Sequence, residues 1–173
     1  EAVAERMAEL NAQETRFVFE SFDHAAAWQL GTQMVERALG EALPVIIDIR
    51  RPGLVLFRSA LAGTTAENEV WLDRKANTVF RYETSTALLA ARFAAQGIDP
   101  WSTEWFDTAR FVAAGGSFPV RVRGVGVVAA VTVSGLTSDE DHDFVVAALE
   151  RYVPSAADSR SRPPSATPFI AHD

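Results

Sequence analysis

Apolar residues recur along this chain at two different periods, and the switches between them divide it into elements. Val3, Met7 and Leu10 fall near helical spacing and predict a helix over 2–13. Residues 16–20 (RFVFE) alternate and are rich in aromatics, as a short strand does. Ser21 and Asp23 are suitable N-caps for the next segment, where Ala27, Leu30, Met34 and Ala38 mark a long amphipathic helix over 24–41. Residues 45–51 (VIIDIRR) and 54–61 (LVLFRSAL) flank the Pro52-Gly53 turn and read as a hairpin. Val45, Ile47 and Ile49 then share one face, and Ile46, Asp48 and Arg50 the other.

Thr64-x-x-Glu67 has the form of a capping box and opens a helix expected to reach about 82. Thr84, Ser85 and Thr86 interrupt it, and 87–96 continues as a second helix stopped by Gly97. Residues 102–114, with Trp105, Phe106 and Phe111, read as a short aromatic helix ended by Gly115-Gly116. A second hairpin joins 117–123 to 125–134 at Gly124. Thr137-x-x-Glu140 is a second capping box, with Asp139 and Asp141 placed where a helix dipole favours negative charge, and the last helix is expected to end near 153.

Two hairpins and one extra strand, interrupted by helices, predict an α/β (α+β) fold with a five-stranded, largely antiparallel sheet rather than a doubly wound parallel one. The expected division is an N-terminal helical extension over 1–15, a domain over 16–153, and a Pro/Ser/Ala/Arg tail over 154–173 expected to be disordered.

Composition narrows the chemistry. The 173 residues are 48% hydrophobic and 23% charged, which suits one ordinary folded domain. The absence of cysteine excludes disulfides, thiolate metal sites and a thiol nucleophile within this sequence, and fits a cytoplasmic location. A net charge of −7 disfavours nucleic acid as a partner, and no apolar run predicts a membrane span. Lys75 is the only lysine among 16 basic residues.

No P-loop, dinucleotide fingerprint, nucleophile elbow or zincin motif is present. His24 and His142 each fall near a helix start beside aspartates, where an exposed histidine is the plain reading and a metal or haem ligand the other. No metal site is expected. Arg50, Arg58, Arg121 and Arg123 lie on strands, with Asp48 beside Arg50. They form either a carboxylate or phosphate site, or a solvated sheet face or salt bridges across a subunit interface. Asn68, Trp71, Lys75, Thr78 and Tyr82 align on one side of a helix, which leaves Lys75 either a ligand contact or an amine lying over aromatic surface. Ser85 and Thr86 could supply hydroxyls to that region. Gly116 and Ser117 either admit a ligand to backbone amides or simply stop a helix and start a strand.

The segments FDHAAAWQLG, LPVIIDIRRPG, NEVWLDRKANTV and AAGGSFPVRVRGVGVVAAVTVSGLTSDEDHDFVVAAL together resemble the haem-degrading domain family, the GlcG/HbpS-like group, over about 17–153. Matching positions include Asp48, Arg50, Asn68, Trp71, Lys75, Gly116, Ser117, Arg121, Asp141 and His142. The resemblance implies a profilin-like fold, dimer-based homo-oligomers, and haem or a related tetrapyrrole as a possible cofactor. Three functions follow as expectations. The first is a small-molecule binding protein for haem or another anionic ligand, using Arg50, Trp71, Lys75, Ser85, Gly116, Ser117 and Arg121. The second is an enzyme with Lys75 as acid/base or positioning group, assisted by Asp48 or His142. The third is an oligomeric scaffold.

Overall fold

The computed structural model describes residues 1–159, with side chains through residue 153. The elements run α1 (Ala2–Arg16), β1 (Val18–Phe19), α2 (His24–Gly40), β2 (Ile46–Arg51), β3 (Leu54–Ala60), α3 (Ala66–Tyr82), α4 (Thr86–Ala95), β4 (Ser117–Val122), β5 (Gly126–Ser134) and α5 (Ser138–Ser159). The strands form one sheet in the order β1-β4-β5-β2-β3. It is largely antiparallel, but β1 pairs parallel with β4, so the expected antiparallel sheet is mixed at one edge.

Strand alternation divides the work between the two faces. Val45, Ile47, Ile49, Phe118, Val131 and Val133 turn toward α2 and α5 and form the main core with Leu30, Met34 and Leu149. Gly31 brings α2 close to β3, because a Cβ there would stand 2.5 Å from the Phe57 ring. The other face carries Asp48, Thr132, Ser134 and Ser117, all buried, and is covered by α3 through Ala76 and Val79. A polar interior on one side of the sheet is unusual for a plain packing face, since each buried polar group must find a partner. Ser117 and Thr132 satisfy each other at 2.8 Å, and Ser117 N donates to Thr86 Oγ1 at 3.1 Å.

Several local details differ from the sequence reading. Residues 102–114 form turns followed by irregular backbone instead of a helix. Asp99 accepts from Trp101 N and the Ser102 hydroxyl, and Asp107 accepts from Ala109 N, so side-chain acceptors outcompete the helical ladder. The aromatics still pack: Phe106 and Phe111 join Phe93 and Leu89 in a separate cluster. The box at the start of α3 is built one residue later than expected, from Thr65 and Asn68. The box before α5 forms as expected, with Thr137 Oγ1 accepting from Glu140 N and Glu140 Oε2 accepting from Thr137 N. The helix α5 continues through Pro154 to Ser159, past the expected end at 153. Proline lacks one donor but need not stop a helix. The rest of the expected tail, 160–173, lies outside the described residues.

The N-terminal helix α1 packs on α4 through Leu10, Ala87 and Leu88. Its Glu14 is buried, and Oε1 accepts from Ser85 N at 2.7 Å and the Thr84 hydroxyl at 3.0 Å.

Candidate functional site

Lys75 is held in the middle of α3, on the side that faces the sheet, and is only 4% exposed. Its Nζ donates to Asp141 Oδ2 at 2.9 Å and to Val133 O at 3.1 Å. Asp141 sits in the first turn of α5, and its Oδ1 accepts from Leu136 N at 3.0 Å. The carboxylate therefore ties the ammonium to the loop that enters α5. Burial pushes the Lys75 ammonium below its ordinary range and the Asp141 carboxyl above its own, while their ion pair opposes both shifts.

Gly116 makes this packing possible. Its φ of +132° suits glycine, and a Cβ there would lie 2.6 Å from both Lys75 Nζ and Val133 O. A Cβ on Gly115 would collide with Ser138 O. The two glycines thus let the start of β4 approach both the lysine head and the first turn of α5 closely.

A cavity of about 310 Å³ opens above this pair. Asn68, Trp71 and Lys75 of α3 form one wall, and Ser134, Thr137, Ser138 and Asp141 form the other. A smaller cavity of about 140 Å³ shares Trp71, Ala114 and Ser138 with it and is walled by Trp101, Phe106 and Phe111. Trp71 and Trp101 meet edge to face, with ring centroids 6.5 Å apart, and the Arg74 guanidinium lies 4.6 Å from the Trp71 centroid.

The other expected residues fall elsewhere. Arg50 and Arg58 grip Asp48 from two sides, at 2.6 and 2.8 Å, and both reach Asp73; Arg58 also reaches Glu69. This is a closed carboxylate–guanidinium network, with the fully buried Asp48 at its centre. Because β5 lies between β2 and β4, Arg121 does not join it. Arg121 instead donates to Glu14 Oε2 at 2.6 Å and to the carbonyl of Glu83, whose left-handed backbone (φ 53°) ends α3. Arg123 pairs with Glu20. Ser85 caps α4 by accepting from Leu88 N, and Ser117 is bonded to Thr132. The structure brings Trp71, Lys75 and Gly116 together, and leaves Arg50, Arg121, Ser85, Ser117 and Asp48 outside the cavity.

His142 corrects the expectation of an exposed helix-start histidine. It has no exposed surface, and its Nε2 meets Gln13 Oε1 at 2.7 Å. His24 is exposed as expected. Asp141 is the site residue that sequence reading passes over as a site group: its signal is only that of a helix-start acid, and nothing local pairs it with a lysine on another helix.

Comparison with known proteins agrees with this architecture. The model of the haem degrading protein HbpS-like family matches residues 22–150. The chain belongs to the HbpS-like family. The UPF0303 protein SCO2848 of Streptomyces coelicolor is 47% identical over 150 residues, covering 87% of this chain and 95% of that protein. The crystal structure of Ybr137w protein superposes with a TM-score of 0.80 at 27% identity, covering 87% of this chain and 89% of that one. The PduOC:heme complex shares the fold, with a TM-score of 0.64 at 20% identity over 75% of this chain and 94% of that one. No helix among the described residues is long and apolar enough to cross a membrane.

Proposed function

We propose that this HbpS-like chain is a small-molecule binding protein whose ligand carries a carboxylate or phosphate and sits in the Lys75 cavity. One observation carries this reading. A buried ammonium has three donors, and Lys75 gives one to Asp141 and one to Val133 O. A buried donor without an acceptor is costly, so the third is left for whatever enters the cavity. Asn68, Ser134, Thr137 and Ser138 add neutral hydrogen-bonding groups, and Trp71 adds an apolar wall.

Haem tests this reading from the other side. The PduOC neighbour was crystallised as a heme complex. Here the two cavities near Lys75, and a third of about 480 Å³ lined by Trp28, Leu39 and Phe57, present no histidine or methionine. His142 is enclosed. The residues lining these cavities do not fit a haem held through its iron, and the small anionic ligand is the reading we carry forward, for a protein we place in the cytoplasm. Self-association belongs to the same reading. It is supported by β3 being a sheet edge and by Trp28 and Leu39 standing 64% and 63% exposed beside it.

Calorimetric titration with a panel of small carboxylates and phosphates tests the site. Loss of a charge-assisted hydrogen bond is worth about 1.5–3 kcal/mol, so Lys75→Met should weaken binding by roughly ten- to a hundredfold. Panel affinities unchanged in Lys75→Met would refute the site. Saturable, stoichiometric haem binding with a Soret shift would refute the exclusion of haem.

A further inference from the structure

Lys75 and Asp141 form more than a charge pair. They are already hydrogen-bonded at 2.9 Å, so a proton can pass from the ammonium to the carboxylate without any side chain moving. Passage leaves a neutral amine and a neutral acid. Burial favours that outcome at both ends, lowering the lysine and raising the aspartate. A neutral amine is a nucleophile, and this one borders a cavity open to small molecules.

We propose that Lys75 condenses reversibly with a small 2-oxo acid, forming an iminium at Nζ, with Asp141 carrying the protons. This rests on the reading of the cavity as an anion-binding site and names its ligand class. The hydroxyls of Ser134, Thr137 and Ser138 line the same cavity and supply donors for the ligand's carboxylate. The balance is complete without a co-reactant. Asp141 takes a proton from Lys75, and the Nζ lone pair forms a bond to the carbonyl carbon. The carbonyl π pair moves to oxygen, which takes the proton from Asp141 and gives a carbinolamine. The nitrogen returns a proton to Asp141, the hydroxyl takes it and leaves as water, and the nitrogen lone pair closes the C=N⁺ bond. Nothing is oxidised or reduced.

The experiment is reductive trapping of the full chain with pyruvate and sodium cyanoborohydride, read by intact mass and peptide mapping. Lys75 is the only lysine in the sequence, so an adduct there is unambiguous. The expected result is one reduced pyruvate adduct at Lys75, lost when lactate, which lacks the carbonyl, occupies the cavity. Lys75→Arg keeps the charge but cannot form an iminium, and should lose the adduct. If that variant fails to fold, the wild-type peptide map still decides. Pyruvate and lactate both binding by calorimetry with no adduct would overturn the iminium and leave the binding site standing. An adduct confined to the chain's α-amine would overturn it too. Neither acid binding, with no adduct, would overturn the 2-oxo acid proposal, and no binding across the whole panel of carboxylates and phosphates would overturn the anion site as well.

Discussion

Lys75 Nζ and Asp141 Oδ2 stand 2.9 Å apart although the residues are separated by 66 positions in the chain. Both side chains are almost wholly buried, at 5% and 2% exposure. The pair fastens the middle of α3 to the first turn of α5. Removing one partner strands the other charge in the interior. Lys75→Met should therefore cost about 3–5 kcal/mol in urea unfolding, and Asp141→Leu a similar amount. The double variant should cost well below the sum, because neither charge is then left alone. Additive losses would show that the pair is not coupled.

Gly116 is the backbone counterpart of that pair. Gly116→Ala must place a methyl 2.6 Å from Lys75 Nζ and hold a φ of +132° that alanine rarely adopts. The backbone strain alone is on the order of 1–3 kcal/mol, and the collision adds to it. Gly124 also has a positive φ, of +74°, but a Cβ there meets nothing within 4 Å. Gly124→Ala should cost only about 1 kcal/mol. Thermal unfolding of the two variants checks the contrast, and equal losses would contradict the close approach at Gly116.

The buried imidazole of His142 makes stability depend on pH. Burial lowers it from 6.5 to about 4; Arg6 adds to the shift, while Asp143, Glu14 and Asp139 oppose it. The unfolded ring takes its proton near 6.5, and the folded ring only near 4. Between those values the unfolded chain holds more protons, so stability falls as pH is lowered through this window and rises as pH is raised through it. The full contribution is roughly 3 kcal/mol. His142→Gln should remove it, and the difference between the two stability-against-pH curves isolates it. Parallel curves from pH 7 to pH 4 would contradict the assignment.

Glu14 holds α1 against the domain. One carboxylate oxygen accepts from Thr84 and Ser85 N, and the other accepts from Arg121 at 2.6 Å. Glu14→Ala leaves those donors without acceptors and should cost about 2–4 kcal/mol. Faster amide exchange should concentrate at 84–88 and along α1. Exchange unchanged in those segments would show that α1 is held by its apolar face alone.

Much of this was legible in the sequence. Period-two alternation in 45–51 correctly assigns which strand residues face the core, because a strand has only two faces. The second capping box forms at its expected residues, Thr137 and Glu140, while the first slips by one to Thr65 and Asn68. The stripe from Asn68 to Tyr82 sets Asn68, Trp71 and Lys75 on one side of their helix, and all three line the cavity. Illegible were the relations set by strand order. β5 lies between β2 and β4, and that alone separates Arg50 from Arg121, giving each its own carboxylate partners. The pairing of Lys75 with Asp141 likewise depends on how α3 and α5 meet at the sheet. The turns of 102–114 were hidden because Asp99 and Asp107 compete for backbone amides that the aromatic spacing assigns to a helix.

The central claim, that Lys75 heads a small-anion site, is tested most directly by isotope labelling of lysine alone. With one lysine in the sequence, the spectrum holds a single ε-methylene signal, reporting on the group in question. Titration with the panel of small carboxylates and phosphates should shift that signal saturably for at least one of them. A ligand that binds by calorimetry while leaving the lysine signal unmoved would contradict the account.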